Sequence, residues 1–453
     1  MENENGKLNV LACVAIIVSS MIGSAIFSLS GLTIGMAGPS AILSWAIAAI
    51  IMLFYGLFMC ELATIFPKSG GAFYFPYKAL GKNEKEGKFF GYISALAYIV
   101  SNITAISFSA IYVGTYLSAS FPIFADKQVM MAIVTILLAY VYNTLDIKKA
   151  SNISFILVVM LAVTLFVFII SCMTSGSFDL SINDTFFSDG SIKKYGFLSA
   201  VPTAMVGYGS IVAMCFMVSE VKDKKKTLPL AAVISILIVA LLYCFSIFAV
   251  VGMITSKELI DTNMTYVPFF AVCFIKLSHI PYLAKIVSVS AVIALVSTVF
   301  VIVSLTARAL QMTSSKDINI FPEILSKKNK RGVPAIASLV VCIVACALAC
   351  FPDLTSEIVS LGALLNVIGI FTHMISLYVV RKKIQDKDKR MLSMTGSDIY
   401  KVGGGNVLII IIMMIILLCY IPDIISGGYK MWIFTICLYV IGFIYYKLYT
   451  SRK

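Results

Sequence analysis

Hydrophobic residues in this chain come in long unbroken runs separated by short polar stretches. That pattern matches a slab of hydrocarbon better than a half-buried helix face or an alternating strand. Runs long enough to cross a bilayer fall at about 10–36, 40–66, 89–120, 129–145, 152–173, 196–219, 228–253, 284–312, 334–351, 356–380, 405–421 and 431–449. A segment in hydrocarbon must satisfy its own backbone, so each run predicts a helix. The fold class is therefore an all-α polytopic membrane protein of about twelve spans. Two connections are long. The first, 174–195, holds Asp179, Asp184 and Asp189 and reads as a solvated loop. The second, 255–283, contains an apolar piece at 267–277 that is too short to span and is flanked by Pro268 and Pro281. It is expected to form a helix over the mouth, either a lid or a helix resting at the interface.

Two of the runs are chemically wrong for continuous helix. In the first, Ile22 to Phe27 reads IGSAIF: Gly23 loosens the backbone, and Ser24 competes for its hydrogen bonds. A helix that opens at mid-bilayer frees amide and carbonyl groups that need a polar partner. The half after the gap offers N–H groups and a positive dipole end, which suits a carboxylate; the half before it offers carbonyls, which suit a cation. The plainer alternative is that Gly23 and Ala25 only let helices pack closely. The sixth run carries a second glycine-rich interruption, Gly207-Tyr208-Gly209-Ser210, five spans after the first. Breaks at matching positions of two five-span halves predict inverted repeats with a site at the midplane between them.

Composition agrees: of 453 residues, 60% are hydrophobic and 13% charged, and the mean hydropathy is +0.99, which excludes a soluble globular protein. The net charge of +13 would suit nucleic acid, but the basic residues lie in the short loops. With the N-terminus inside, 28 of the 35 Lys and Arg fall on the cytoplasmic side, which predicts both termini there. Residues 1–9 are polar and are expected to be a retained cytoplasmic segment without a cleavable signal. Eleven cysteines form no CxxC pair, and Cys342, Cys346 and Cys350 share one helical face, as packing residues would. With only His279 and His373, no histidine metal site is expected, and no cofactor is implied.

Four motifs then resemble the amino acid/polyamine/organocation (APC) transporters, which have the leucine-transporter fold of five plus five inverted spans. GSAIF, Gly23 to Phe27, is similar to the family's GSGIF, with Ala25 for the middle glycine. Glu61 to Tyr74, ELATIFPKSGGAFY, is similar to the E-L-x-x-x-x-P-x-S-G-G-x-Y/F-x-Y that closes span two. Glu220-Val221-Lys222 resembles the exit from span six, although the usual proline soon after the lysine is absent. The basic stretch from Phe321 and Pro322 to Pro334 resembles the inner loop between spans eight and nine.

The resemblance implies a first repeat at 10–173, the outer loop 174–195, a second repeat at 196–380 that includes the lid segment, a cytoplasmic loop at 381–404, and two further spans in 405–453. It implies a carrier working by alternating access at the plasma membrane, an amino acid permease or exchanger. The substrate carboxylate would meet the amides around Gly23, Ser24 and Ala25, and its amine the carbonyls near Ser19, Met21 or Ile22 and the span-six break at Gly207, Gly209 or Ser210. Met205, Tyr208, Ser210 and Asn102 are expected to set side-chain selectivity. A proton-coupled subset of the family carries a lysine within span five; none lies between Asn152 and Cys172. Sodium-coupled members of the fold would use Ser297 and Thr298 facing the carbonyls of Ser19 and Ile22. The expected partners are thus a small amino acid, a coupling ion (sodium or a proton) or counter-substrate, and the lipid membrane.

Other classes fare worse. A polyamine or organic-cation carrier is the nearest alternative, followed by a transporter-like sensor, which would need longer tails than the ends here. A membrane enzyme would need a polar catalytic cluster, and no GxxxxGK[ST] loop suggests ATP hydrolysis. Glu61 is expected to pair with a basic loop residue, and His373 to bond between helices.

Overall fold

The computed structural model describes residues 8–23, 25–66, 71–144, 150–182, 186, 196–218, 220–316, 318–395 and 399–451. The first crossing is α1 (Val10–Met21), capped by Asn9, whose side chain accepts from Ala12 N at 2.9 Å, followed by α2 (Ala25–Ala37). Between them the chain leaves the helix at Ile22, whose ψ of 93° is extended. Crossing two is α3 (Ala41–Ile65); a short helix α4 (Gly71–Ala79) follows, and then the long α5 (Glu84–Ser120), α6 (Gln128–Thr144) and α7 (Ala150–Thr174). The sixth crossing is α8 (Gly196–Gly207), a 3-10 turn (Gly209–Ala213) and the four-residue α9 (Met214–Met217). Then come α10 (Lys224–Val251), the short α11 (Ser256–Asp261) and α12 (Pro268–Ile275), α13 (Leu283–Thr313), α14 (Ala335–Ala349) and α15 (Thr355–Gln385). A short α16 (Lys389–Met394) leads to α17 (Gly405–Asp423) and α18 (Tyr429–Ser451), joined by a π-helical turn (Ile424–Gly428) after which Trp432 packs edge-on to Tyr420.

Seven helical stretches among the described residues are by themselves long and apolar enough to cross a membrane, and five shorter apolar helices complete the set. The protein is an all-α polytopic membrane protein with its first and sixth crossings broken. The break in crossing six differs from expectation: it is a change of helix type, not an unwound gap. Tyr208 N bonds to Met205 O and Ile211 N to Tyr208 O, both at 3.1 Å, so three-residue hydrogen bonds carry the chain through.

The packing is duplicated. Counting crossings, one lies against six, two against seven, three against eight and four against nine. The remaining contacts also exchange when each crossing is replaced by the one five away: one on seven and six on two, three on ten and eight on five, three on nine and eight on four. Even the short helices correspond, since α4 packs on α5 and on the second half of crossing six while α12 packs on α13 and on the second half of crossing one. This is the contact pattern of two five-crossing halves with like internal packing.

Each face carries a defined contact between segments distant in sequence. On the face bearing the chain ends, Leu8 forms a parallel bridge to Val221, with Leu8 N donating to Glu220 O at 2.8 Å and Lys222 N to Leu8 O at 3.1 Å. On the opposite face, the segment 255–283 holds α11 and α12 against α2; Lys276 pairs with Glu258 at 2.8 Å across the two short helices. The fit there is tight enough that a Cβ at Gly31 would overlap the carbonyl oxygen of Thr265.

Candidate functional site

The two breaks face each other across a cavity of about 130 Å³. Its backbone wall comes from Ser20, Met21, Gly23 and Ala25 of the first break and Gly207, Gly209 and Ser210 of the sixth. The side-chain wall comes from α5 (Ser94, Tyr98, Ser101, Asn102, Ala105, Ser109) and α15 (Asn366, Gly369, Ile370, His373), with Tyr55 of α3 and Thr298 and Ile302 of α13. The α5 positions recur at three- and four-residue spacing, so a single helix face supplies them.

The helix ends give the cavity a polarity. α2 begins at Ala25, and the amides of its first turn have no partner within the helix, so the site receives a positive dipole end. α1 and α8 end at the same place and present carbonyls. Not all of these are available: Met21 O accepts from Tyr243 OH at 2.7 Å, and Met205 O from Tyr208 N. Gly23 is required where it stands, because a Cβ there would overlap Thr298 Oγ1. Gly207 lets the ring of Trp45 approach, with a would-be Cβ 2.8 Å from it.

The residues expected from sequence separate into four groups. Gly23, Ala25, Gly207, Gly209, Ser210 and Asn102 line the cavity. Ser19, Ile22, Ser297 and Thr298 come together in a smaller adjoining space of about 40 Å³ that also touches Gly23 and Ser210. There Ser19 Oγ donates to Ile16 O at 3.0 Å and Thr298 Oγ1 to Ala294 O at 2.8 Å, and no carboxylate lines it among the described residues. Ser24 lies outside the described residues. Tyr208 and Met205 are fully buried behind the wall: the Tyr208 ring packs edge-on to Trp45 and tilted to Tyr243, and its hydroxyl reaches Trp45 O at 3.3 Å. The 3-10 turn redirects the chain just after this residue, and its side chain faces Trp45 and Tyr243 instead of the cavity.

Sequence reasoning passed over Tyr55, Ser94, Tyr98, Ser101 and Asn366. The α5 face is visible in the spacing once Asn102 is chosen; Tyr55 and Asn366 carry no such signal. His373 lies at the cavity end nearer the chain termini, stacked on Tyr55, with Tyr55 OH 2.9 Å from Nδ1 and Ser94 Oγ 3.4 Å from Nε2. Beyond the start of α2, Phe27, Phe269 and Phe168 pack ring to ring at 5.2 and 5.0 Å, and Tyr116 OH donates to Phe27 O at 3.2 Å.

Comparison with known proteins bears on this geometry. The family model described as amino acid permease matches residues 8–443. The chain belongs to that family. Relatives of this permease include an arginine/ornithine antiporter of Pseudomonas aeruginosa, 29% identical over 74% of this chain and 69% of the relative. A serine/threonine exchanger of Bacillus subtilis is 22% identical over 56% of each chain, so the permease matches about half the length of that relative. A glutamate/serine transporter of the same organism is 24% identical over 57% of this chain and 50% of the relative. The chain is a multi-pass membrane protein of that family.

Proposed function

We propose that the permease carries amino acids across the cell membrane by alternating access, as an exchanger that releases one while it takes up another. The observation behind this reading is the convergence of opposite helix ends on one cavity. The α2 N-terminus suits the carboxylate common to amino acids, and the carbonyl ends of α1 and α8 suit the ammonium. The Leu8–Val221 bridge on one face and the packing of α11 and α12 on α2 on the other are the contacts that alternating access would break in turn. A polyamine fits less well. It brings two or more ammonium groups, and no Asp or Glu lines the cavity among the described residues. Exchange is preferred to ion coupling because relatives named as an exchanger and an antiporter share the family. The distribution of Lys and Arg supports both termini in the cytoplasm.

A second reading, sodium coupling, draws on the space between Ser19, Ile22, Ser297 and Thr298. One experiment separates the readings. Proteoliposomes preloaded with unlabelled amino acids are given labelled ones, with sodium and pH gradients imposed separately. Uptake that depends on the internal amino acids establishes exchange; uptake driven by a gradient across empty vesicles displaces it.

A further inference from the structure

The wall made by α5 and α15 has a chemistry that the backbone wall lacks. Ser101 Oγ donates to Gly362 O at 3.0 Å and fixes the two helices together within about a turn of Asn102 and Asn366. Both asparagines line the cavity. The Nδ2 atom of each is closed off from solvent and has no hydrogen-bond partner among the described residues. Tyr98, one turn before Asn102 on the same face, interacts with the Asn102 side chain, though no contact of full hydrogen-bond geometry pairs Nδ2; for the Asn366 amide no such neighbour is present among the described residues. Buried amides are nearly always paired, because an unpaired one loses its water and gains nothing in return. Two such groups on one wall of one cavity therefore mark where a polar ligand atom belongs. Each amide carries both a donor and an acceptor, and turning about its terminal bond exchanges them. The pair is thus suited to a neutral hydroxyl or carboxamide.

Charge argues the same way. No Asp, Glu, Lys or Arg lines the cavity among the described residues, so an ionised side chain would be buried without a counter-charge. Among the described wall residues His373 is the histidine, and it has Tyr55 and Ser94 at its two ring nitrogens. A leucine-like side chain would suit Leu29, Phe108 and Leu365, which also line the space, but would leave both amides unpaired.

We propose that the space between α5 and α15 receives the substrate's side chain, and that Asn102 and Asn366 select neutral amino acids ending in a hydroxyl or carboxamide. The inference rests on the carrier reading above and goes one step further, to the substrate class. Sites built to hydrogen-bond a substrate group reject the analogue that lacks it far more strongly than apolar pockets reject an added methylene.

The test is competition in proteoliposomes preloaded with mixed amino acids, with serine, threonine, asparagine, glutamine, alanine, leucine, arginine and glutamate offered in turn. Serine, threonine or an amide amino acid is expected to compete at concentrations about tenfold or more below those of alanine and leucine, with arginine and glutamate weaker still. In Asn366→Leu the ratio of serine to alanine competition is expected to fall to within about twofold, and Asn366→Asp is expected to admit lysine. Wild-type competition by leucine, arginine or glutamate as strong as by serine would overturn the selectivity while leaving the carrier intact. Absence of uptake of every amino acid by protein that melts cooperatively would overturn the carrier reading and this inference with it. The wild-type panel decides the question even where a variant does not fold.

Discussion

Arg381 grips Glu61 through two parallel hydrogen bonds, Nε to Oε1 at 2.7 Å and Nη2 to Oε2 at 2.5 Å, joining helices 320 residues apart in sequence. Glu61 is only 2% exposed, and its Oε2 also accepts from Val402 N at 2.8 Å. The pair therefore ties α3, α15 and the approach to α17 into one unit. Removing one partner strands the other charge in a dry site. Glu61→Gln and Arg381→Met are each expected to cost about 3 kcal/mol, with the double variant losing clearly less than the sum. Thermal melting of the purified variants checks this, and strictly additive losses would show that the two groups stabilise independently.

Gly23 has no space for a side chain beside Thr298. Gly23→Leu is expected to insert and melt as a folded protein yet lose amino acid binding. Gly23→Ala is expected to lose less, and to recover part of its binding when combined with Thr298→Ala, which removes the overlapping hydroxyl. Binding of labelled amino acid to purified protein reads the series; wild-type binding by Gly23→Leu would move the site away from the first break.

Tyr208 stands behind the wall and makes only a 3.3 Å hydrogen bond with its hydroxyl. Tyr208→Phe is expected to leave the competition profile among amino acids unchanged and to cost no more than about 1 kcal/mol of stability. A changed order of competitors would put the ring back in the pocket.

On the face opposite the chain ends, Gly31 touches the Thr265 carbonyl. Gly31→Val is expected to hold the α11–α12 segment off α2. Hydrogen exchange in peptides covering 256–275 should then quicken severalfold while exchange in α15 stays as in the parent. Unaltered exchange in 256–275 would show that the contact does not seal that face.

The features legible in the sequence were those the local backbone dictates. The run of apolar residues and the pair Gly23-Ser24 suffice to locate the first break, since glycine and a short hydroxyl side chain weaken a helix wherever they occur. Asn102 is recognisable as a polar residue in the middle of an apolar span. Other features depend on distant partners. Whether Glu61 meets Arg381 depends on how α3 and α15 pack, and nothing near either residue encodes that. Asn366 draws attention only once α15 is set against α5. The burial of Tyr208 is not legible for a different reason: the chain tightens to three residues per turn just after it, and nothing in Gly207-Tyr208-Gly209 says to which side the ring turns. α4 is not legible either, because its nine residues lack the long apolar run that marks a crossing.

The exchange of contacts between crossings five apart has a thermodynamic side. If each half can take up the arrangement its twin now holds, the interfaces given up on one side of the bilayer are remade on the other, between equivalent elements. The two resulting shapes then bury similar areas and differ little in free energy. Such a protein needs no fuel to turn over. In the carrier proposed above, a concentration difference across the bilayer would then set the direction of net movement.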